Sequence, residues 1–451
     1  MTSKTSKGRL SWWQLSLLGI GCTLGTGFFL GTSMAIHKSG PAVLIPFLLA
    51  AIATYIVYDA LVKMSVDNPD KGSFRTYAKQ AFGNWAGFSN GWIYLISEML
   101  IMGSQLTALG IFTKLWFPTL PLWVAASIYA ALGLAVILMG MKGFENFQNI
   151  FGALKAAAVV MFIIVAVVLI IKGFNTETTT LDALHANYEE FFSQGVKGIW
   201  LGLLYAFYAF GGIEVMGLMV IDLKNPQEAP KAGKVMLIAI TVIFLMAIML
   251  ALALVSWKDF TIEESPFITA LNGYHIPFFA DIFNGVLIIA DIFNGVLIIA
   301  GFSTMVASLY AVITILITLA EDHDAPTALA KKGKMKVPFP AFLFLASGLI
   351  ITIVIGFLMP EKIFEYLVTA AGLMLIYNWL FILVTYMKLM KLSKWEYVKN
   401  GIGMLLIVVT VSGTLGEKTS RLGFFVSLLF IIIIGIATWI VMKRQKHSKH
   451  V

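Results

Sequence analysis

Read for hydrophobic and polar positions alone, the chain alternates long apolar runs with short polar connections. Runs of about 20 apolar residues, enough to cross roughly 30 Å of hydrocarbon, fall near 12–36, 40–62, 87–113, 121–141, 151–171, 196–220, 235–256, 291–320, 338–359, 363–387, 400–415 and 422–442. The pattern predicts an all-α polytopic membrane protein of about twelve transmembrane helices. Only 173–194, the stretch around 257–290 and the basic segment 321–337 are longer connections, so no separate soluble domain is expected.

Composition sharpens this reading. The chain is 59% hydrophobic and 12% charged over 451 residues, which excludes an ordinary soluble core. With the N-terminus cytoplasmic, 24 of the 32 basic residues fall in inside segments, from Lys4, Lys7 and Arg9 through Lys142 and Lys155 to Lys443, Arg444, Lys446 and Lys449. The outer connections around Asp182, Glu189, Glu190, Glu263 and Glu264 lean acidic. The net charge of +8 therefore reads as topology beside anionic lipid, with both termini cytoplasmic, and not as nucleic-acid binding. No cleavable signal peptide is expected, because Met1 to Arg9 is short and the apolar run after it is long enough to stay in the membrane. One cysteine, Cys22, leaves no intramolecular disulfide and no metal cluster, and no cofactor is expected. The segment from Glu321, Asp322, His323 and Asp324 to Lys336 reads as a linker whose charges are solvated.

Glycines interrupt two of the spans. In the first, Gly19, Gly21, Gly25, Gly27 and Gly31 fall within thirteen residues, and glycine is a poor helix former. A broken helix in hydrocarbon exposes unpaired backbone groups, which is tolerable around a buried cavity. There the bare amides and positive dipole end of a half-helix suit a carboxylate, and freed carbonyls suit a cation. The alternative is a close-packing glycine face. In the sixth span Gly211 and Gly212 follow Tyr205, Phe207, Tyr208 and Phe210 and precede Glu214. Two interrupted spans five apart match two five-helix inverted repeats.

One decapeptide, Asp281 to Ala290, recurs unchanged as Asp291 to Ala300. Both copies in one helix with the run to Ala320 would reach about 60 Å, twice the hydrocarbon thickness. The second copy runs directly into Gly301, so it is expected to occupy the eighth span while the first extends the outer connection.

These segments carry a family resemblance. The first span, Gly72-Ser73-Phe74-Arg75-Thr76-Tyr77, the break Ala209-Phe210-Gly211-Gly212-Ile213-Glu214, and the following Asp222-Leu223-Lys224-Asn225-Pro226-Gln227-Glu228-Ala229-Pro230-Lys231 look like motifs of amino acid permeases in the amino acid–polyamine–organocation superfamily. The resemblance covers essentially the whole chain. It implies a LeuT-like fold with a 1–11 cytoplasmic tail, a first five-helix repeat over 12–172, an outer connection at 173–195, a second repeat over 196–387, two additional helices over 388–442 and a basic tail at 443–451. It also implies alternating access.

The same resemblance bears on Lys155, near the start of the fifth apolar run. Position alone suggests a snorkelling interfacial lysine. Proton-coupled members of the superfamily carry a lysine in this part of the fifth span, where it replaces a sodium ion and contacts the first break and the eighth helix. Glu98, in the middle of the third span, and Glu214 are further intramembrane carboxylates, functional by default or structural acids bonded to freed backbone. Lys155, Glu98 and Glu214 are the proton-coupling candidates, with Ser303 and Thr304, and Ser308 beyond them, as eighth-helix contacts. Tyr377, Asn378 and Trp379 in the tenth span are assigned to packing.

The expected activity is proton-coupled import of L-amino acids with neutral side chains, across the cell membrane, with the amino acid, the proton and the lipid bilayer as partners. The candidate substrate residues are Gly21, Cys22, Thr23, Gly25, Thr26 and Gly27 in the first break, and Phe207, Tyr208, Phe210, Gly211 and Gly212 in the second. Phe207, Tyr208 and Phe210 are candidate gates. An exchanger, an importer of cationic amino acids greeted by Glu98, and a membrane sensor remain as alternatives. Enzyme chemistry is not expected, because no paired histidines, nucleophile–base arrangement or phosphate loop appears.

Overall fold

Hydrocarbon offers the backbone no partners, so a chain this apolar must satisfy its amides and carbonyls internally, and it does so with helices. The computed structural model describes residues 10–70, 72–139, 141–173, 188–272, 288–331, 333, 335–359 and 363–448. Among these the sheet-type pairing is confined to an isolated bridge between Leu10 and Leu223.

Among the described residues the helices group into twelve successive segments in the order expected of crossings. The first is split into Trp12–Thr23 and a second half formed by Thr26–Phe29 and Gly31–Ser39; then come Leu44–Asp67, Asn84–Trp116, Leu122–Leu138 and Met141–Ile171. The sixth is split into Gly195–Ala209 and Ile213–Met219, and Ala229–Leu254, Ile288–Glu321, Phe339–Leu358, Ile363–Leu389, Lys394–Gly413 and Lys418–Ser448 complete the set. By length and apolarity alone ten stretches qualify as spans. One of them, Thr26–Asp67, fuses the second half of the first crossing to the second, and the fourth crossing has only 17 residues. The chain is a multi-pass helical membrane protein.

Burial separates an inner set of helices from an outer one. In spans three and ten 78% of the most apolar window is buried, against 17% in span twelve. Span three packs against spans eight and ten. Span twelve turns Phe425, Leu429, Ile432, Ile433 and Ile436 outward, a stripe suited to lipid. The broken helices lie in the inner set, where Leu24, Phe28, Phe207 and Ile213 are fully buried.

The second copy of the decapeptide lies in the eighth span, where Phe293, Leu297 and Ala300 form one buried face. Asn294 Nδ2 donates to the Phe112 carbonyl at 2.9 Å, and Trp116 Nε1 donates to Asp291 Oδ1 at 2.9 Å. Of the first copy, residues 281–287 lie outside the described residues, as does most of the long connection 173–194.

Two expectations about charge require correction. Asp324 is not a solvated linker residue. The short helix Phe74–Phe82 presents a fully buried Arg75, which bridges Asp322 at 2.8 Å and bonds Asp324 more closely still. Trp92 Nε1 also donates to the Asp324 carbonyl at 3.2 Å. The chain doubles back after Glu321, with Asp324 N and Ala325 N both bonding the Leu319 carbonyl, and this folds Asp324 under the helix. Burial pushes its carboxyl up, against the pull of the Arg75 guanidinium. Lys155, in turn, does not belong among the loop charges or at an interface. The fifth helix begins at Met141, nearly three turns before the apolar run, so Lys155 lies mid-helix and fully buried.

Candidate functional site

The first break is two residues of extended chain, Leu24 and Gly25. Leu24 closes the helix Trp12–Thr23 by donating to the Ile20 carbonyl, and Gly25 is extended before the second half begins at Thr26. The amides of Thr26 and Gly27 stand first in that half and have no intrahelical carbonyl to reach. In the second break Gly212 has φ +107°, a left-handed conformation that side chains resist. A Cβ there would stand 3.0 Å from the Cys22 carbonyl oxygen, so the two breaks approach each other backbone to backbone.

Between them lies a cavity of about 50 Å³, measured as space open to the centres of water molecules. Its walls are Cys22, Thr23, Gly25, Thr26 and Gly27 from span one, Glu98, Ile101 and Gln105 from span three, Tyr208, Gly211, Gly212 and Val215 from span six, and Thr304, Ala307 and Ser308 from span eight. Glu98, Ile101 and Gln105 are three and four residues apart, one face of a helix. Tyr208 is held in place by a hydrogen bond between its hydroxyl and that of Ser104, and its ring and carbonyl cover Gly27, where a Cβ would come within 3.2 Å.

Beside the cavity, Lys155 Nζ donates to the Gly21 carbonyl at 2.7 Å. The close approach has a visible cause: a Cβ on Gly21 would lie 3.3 Å from the Cα of Gly152, so helices one and five meet glycine on glycine. Both readings of the glycine run are therefore realised, packing at Gly21 and a break at Gly25.

Several predicted residues are placed elsewhere than the cavity wall. Phe207 packs on Trp379 with ring centroids 5.9 Å apart. Phe210 lies in an aromatic cluster with Phe244 at 5.1 Å and Phe47 at 6.4 Å. The expected gating rings Phe207 and Phe210 thus face the bundle, and Tyr208 is the aromatic residue of the three that faces the cavity. Their spacing explains this, since neighbouring residues on a helix point about 100° apart. Glu214 is also off the wall. Its Oε2 accepts from the Gly212 amide at 3.0 Å and its Oε1 accepts a close bond from Trp379 Nε1, so it caps the broken helix. Ser303 is buried in the eighth helix outside the lining. The Thr304 hydroxyl donates to its own helix, to the Ala300 and Gly301 carbonyls. In span ten Asn378 bonds Asn90 at 2.8 Å and Tyr377 meets Ser427 at 3.3 Å, as packing requires.

Sequence reading missed Ile101, Gln105, Val215 and Ala307. A signal existed for the first two: once Glu98 is placed at the site, positions three and seven residues further share its face.

A polar cavity walled by two interrupted helices inside a helical bundle defines a membrane transporter of small solutes. The amino acid permease family model matches residues 14–450, and the chain belongs to that family. It is 52% identical over 447 residues to an uncharacterized transporter, YcgH, of Bacillus subtilis, covering 98% of this chain and 97% of the relative. It is 28% identical to the aromatic amino acid transport protein AroP of Corynebacterium glutamicum, over 93% of this chain and 94% of that one. The Escherichia coli AroP is 28% identical over 83% of this chain and 80% of its own. The family and these relatives are transporters, so the protein is an amino acid permease and not an enzyme.

Proposed function

We propose that this permease imports small neutral L-amino acids across the cell membrane together with protons, with both of its termini in the cytoplasm. The observation that carries the coupling is the buried Lys155 ammonium bonded to the Gly21 carbonyl, one residue before the cavity wall. A charged lysine there neutralises the carbonyl end of the first half-helix, and its loss of a proton takes away the charge that strengthens the bond tying helix five to helix one. The substrate carboxylate meets the amides of Thr26 and Gly27, and its ammonium meets carbonyls freed at Cys22 and Gly211. Glu98, on the wall, is the second group through which a proton passes. Glu214 supports the site by holding the Gly212 amide.

Size supports small substrates. One water needs about 10–15 Å³ of such space, so the cavity holds about four. Tyr208, bonded to Ser104, and Ile101 bound it, which favours side chains smaller than the rings carried by the aromatic amino acid transport proteins among its relatives. A wall carboxylate at Glu98 favours a second reading, import of cationic amino acids. The test is uptake of radiolabelled L-alanine and L-lysine into proteoliposomes with and without an inward proton gradient. Alanine accumulation that needs the gradient, and that Lys155→Ala abolishes while binding persists, supports the proposal. Intact accumulation in Lys155→Ala refutes the coupling role, lysine uptake selects the cationic reading, gradient-independent counterflow selects an exchanger, and binding without flux selects a sensor.

A further inference from the structure

The cavity holds two buried polar atoms that the protein leaves without a partner: the Gln105 side-chain oxygen Oε1 and the Thr26 hydroxyl. Gln105 is 6% exposed and Thr26 1%, so bulk water does not serve them. A buried polar group with no hydrogen bond costs about 1–3 kcal/mol, and such orphans call for an occupant. The other polar groups on the wall contrast with these two. The Tyr208 hydroxyl is bonded to Ser104 and the Thr304 hydroxyl to its own helix.

We infer that Gln105 and Thr26 form a side-chain subsite for a hydroxyl, so that the permease prefers L-serine and L-threonine over the apolar amino acids of the same size. This rests on the transport reading above and narrows its substrate class. A hydroxyl both donates and accepts, so it satisfies a carboxamide whichever end of the amide it meets, and satisfies a threonine hydroxyl as well. A methyl group in the same place satisfies neither and leaves both orphans in place. The space available suits a side chain of two or three heavy atoms, and Ile101, one turn from Gln105 on the same wall, offers the apolar surface that the threonine methyl would cover.

Discrimination of this kind is strong, because a site built to hydrogen-bond a hydroxyl rejects the analogue that lacks it by more than it would reject a missing methylene. One satisfied bond alone is worth about tenfold. The test uses the purified full-length protein and two isosteric pairs, L-serine against L-alanine and L-threonine against L-valine, titrated by ligand-induced thermal stabilisation. The expected result is binding about tenfold tighter for the hydroxyl member of each pair, and a ratio near one in Gln105→Leu. Equal or better binding of alanine and valine by the wild-type protein overturns the inference whatever the variant does, as does a preference for serine that survives in Gln105→Leu. Proteoliposome flux separates the two levels. Uptake of alanine with no preference for serine refutes the subsite and leaves the transport reading intact, whereas neither binding nor flux of any of the four amino acids refutes both.

Discussion

Replacing Arg75 by methionine removes the guanidinium from a fully buried site and strands the Asp324 carboxylate, whose side chain is 3% exposed. Asp322 is 42% exposed and can turn to water or to Lys79, 3.9 Å away, so the loss falls on Asp324. Breaking a buried pair from one side costs about 3–5 kcal/mol. Because Asp324 can escape by taking a proton, the expected cost is at the lower end, about 3 kcal/mol, a fall in melting temperature on the order of 5 °C. The sign with pH follows from the burial that already pushes this carboxyl up. A carboxyl whose folded pKa exceeds its unfolded value stabilises the fold below the unfolded value and loses that contribution as pH rises through the folded one. Removing Arg75 raises the folded value further, so the destabilisation should be largest at pH 8 and smaller at pH 5. Arg75→Met/Asp324→Asn removes the stranded charge and should recover more than half of the loss. Thermal melts of the four proteins in detergent at both pH values form a double-mutant cycle. Additive effects, or a single-variant loss below about 0.5 kcal/mol, the range of ordinary surface substitutions, would show that the pair does not couple the short helix to the end of span eight.

Three further outcomes follow from the geometry. Gly212→Ala forces a side chain into a left-handed conformation costing about 1–2 kcal/mol and sets its Cβ against the Cys22 carbonyl, so transport should fall further than stability; unchanged uptake would contradict the contact between the two breaks. Glu98→Gln should retain substrate binding and flatten the pH dependence of accumulation, and an unaltered pH profile would reassign Glu98 to structure. A chain lacking residues 281–290 should keep its fold by circular dichroism and its uptake, because the eighth span is filled by the second copy; an inactive shortened chain would defeat that assignment.

What the sequence made legible were the features that break a local rule. A glycine-rich run in a span, a glycine pair five spans later, and a lysine or glutamate inside an apolar run each stand out against their surroundings, and they lie at or beside the cavity. Direction was less legible. Phe207, Tyr208 and Phe210 look alike in sequence, yet only the facing of the helix decides that Tyr208 meets the cavity while its neighbours meet Trp379 and Phe244. Glu214 carried an ambiguity that its hydrogen bonds resolve towards capping. The partner of Arg75 could not be read at all, because it lies 249 residues away behind a chain reversal in a segment that looks like a solvated linker. Gln105 was invisible for a milder reason: a lone amide in a helix signals nothing until the helix face it shares with Glu98 is known to line a cavity.

The central claim is that the cavity between the two breaks holds the transported amino acid. Its most direct measurement uses Cys22, the chain's single cysteine, which lines that cavity. Labelling of the purified protein by methyl methanethiosulfonate, a small linear thiol reagent, should be slowed as amino acid substrate occupies the site, and Cys22→Ala should abolish labelling. Labelling at an unchanged rate in the presence of an amino acid that the protein demonstrably transports would place the substrate elsewhere and contradict the account.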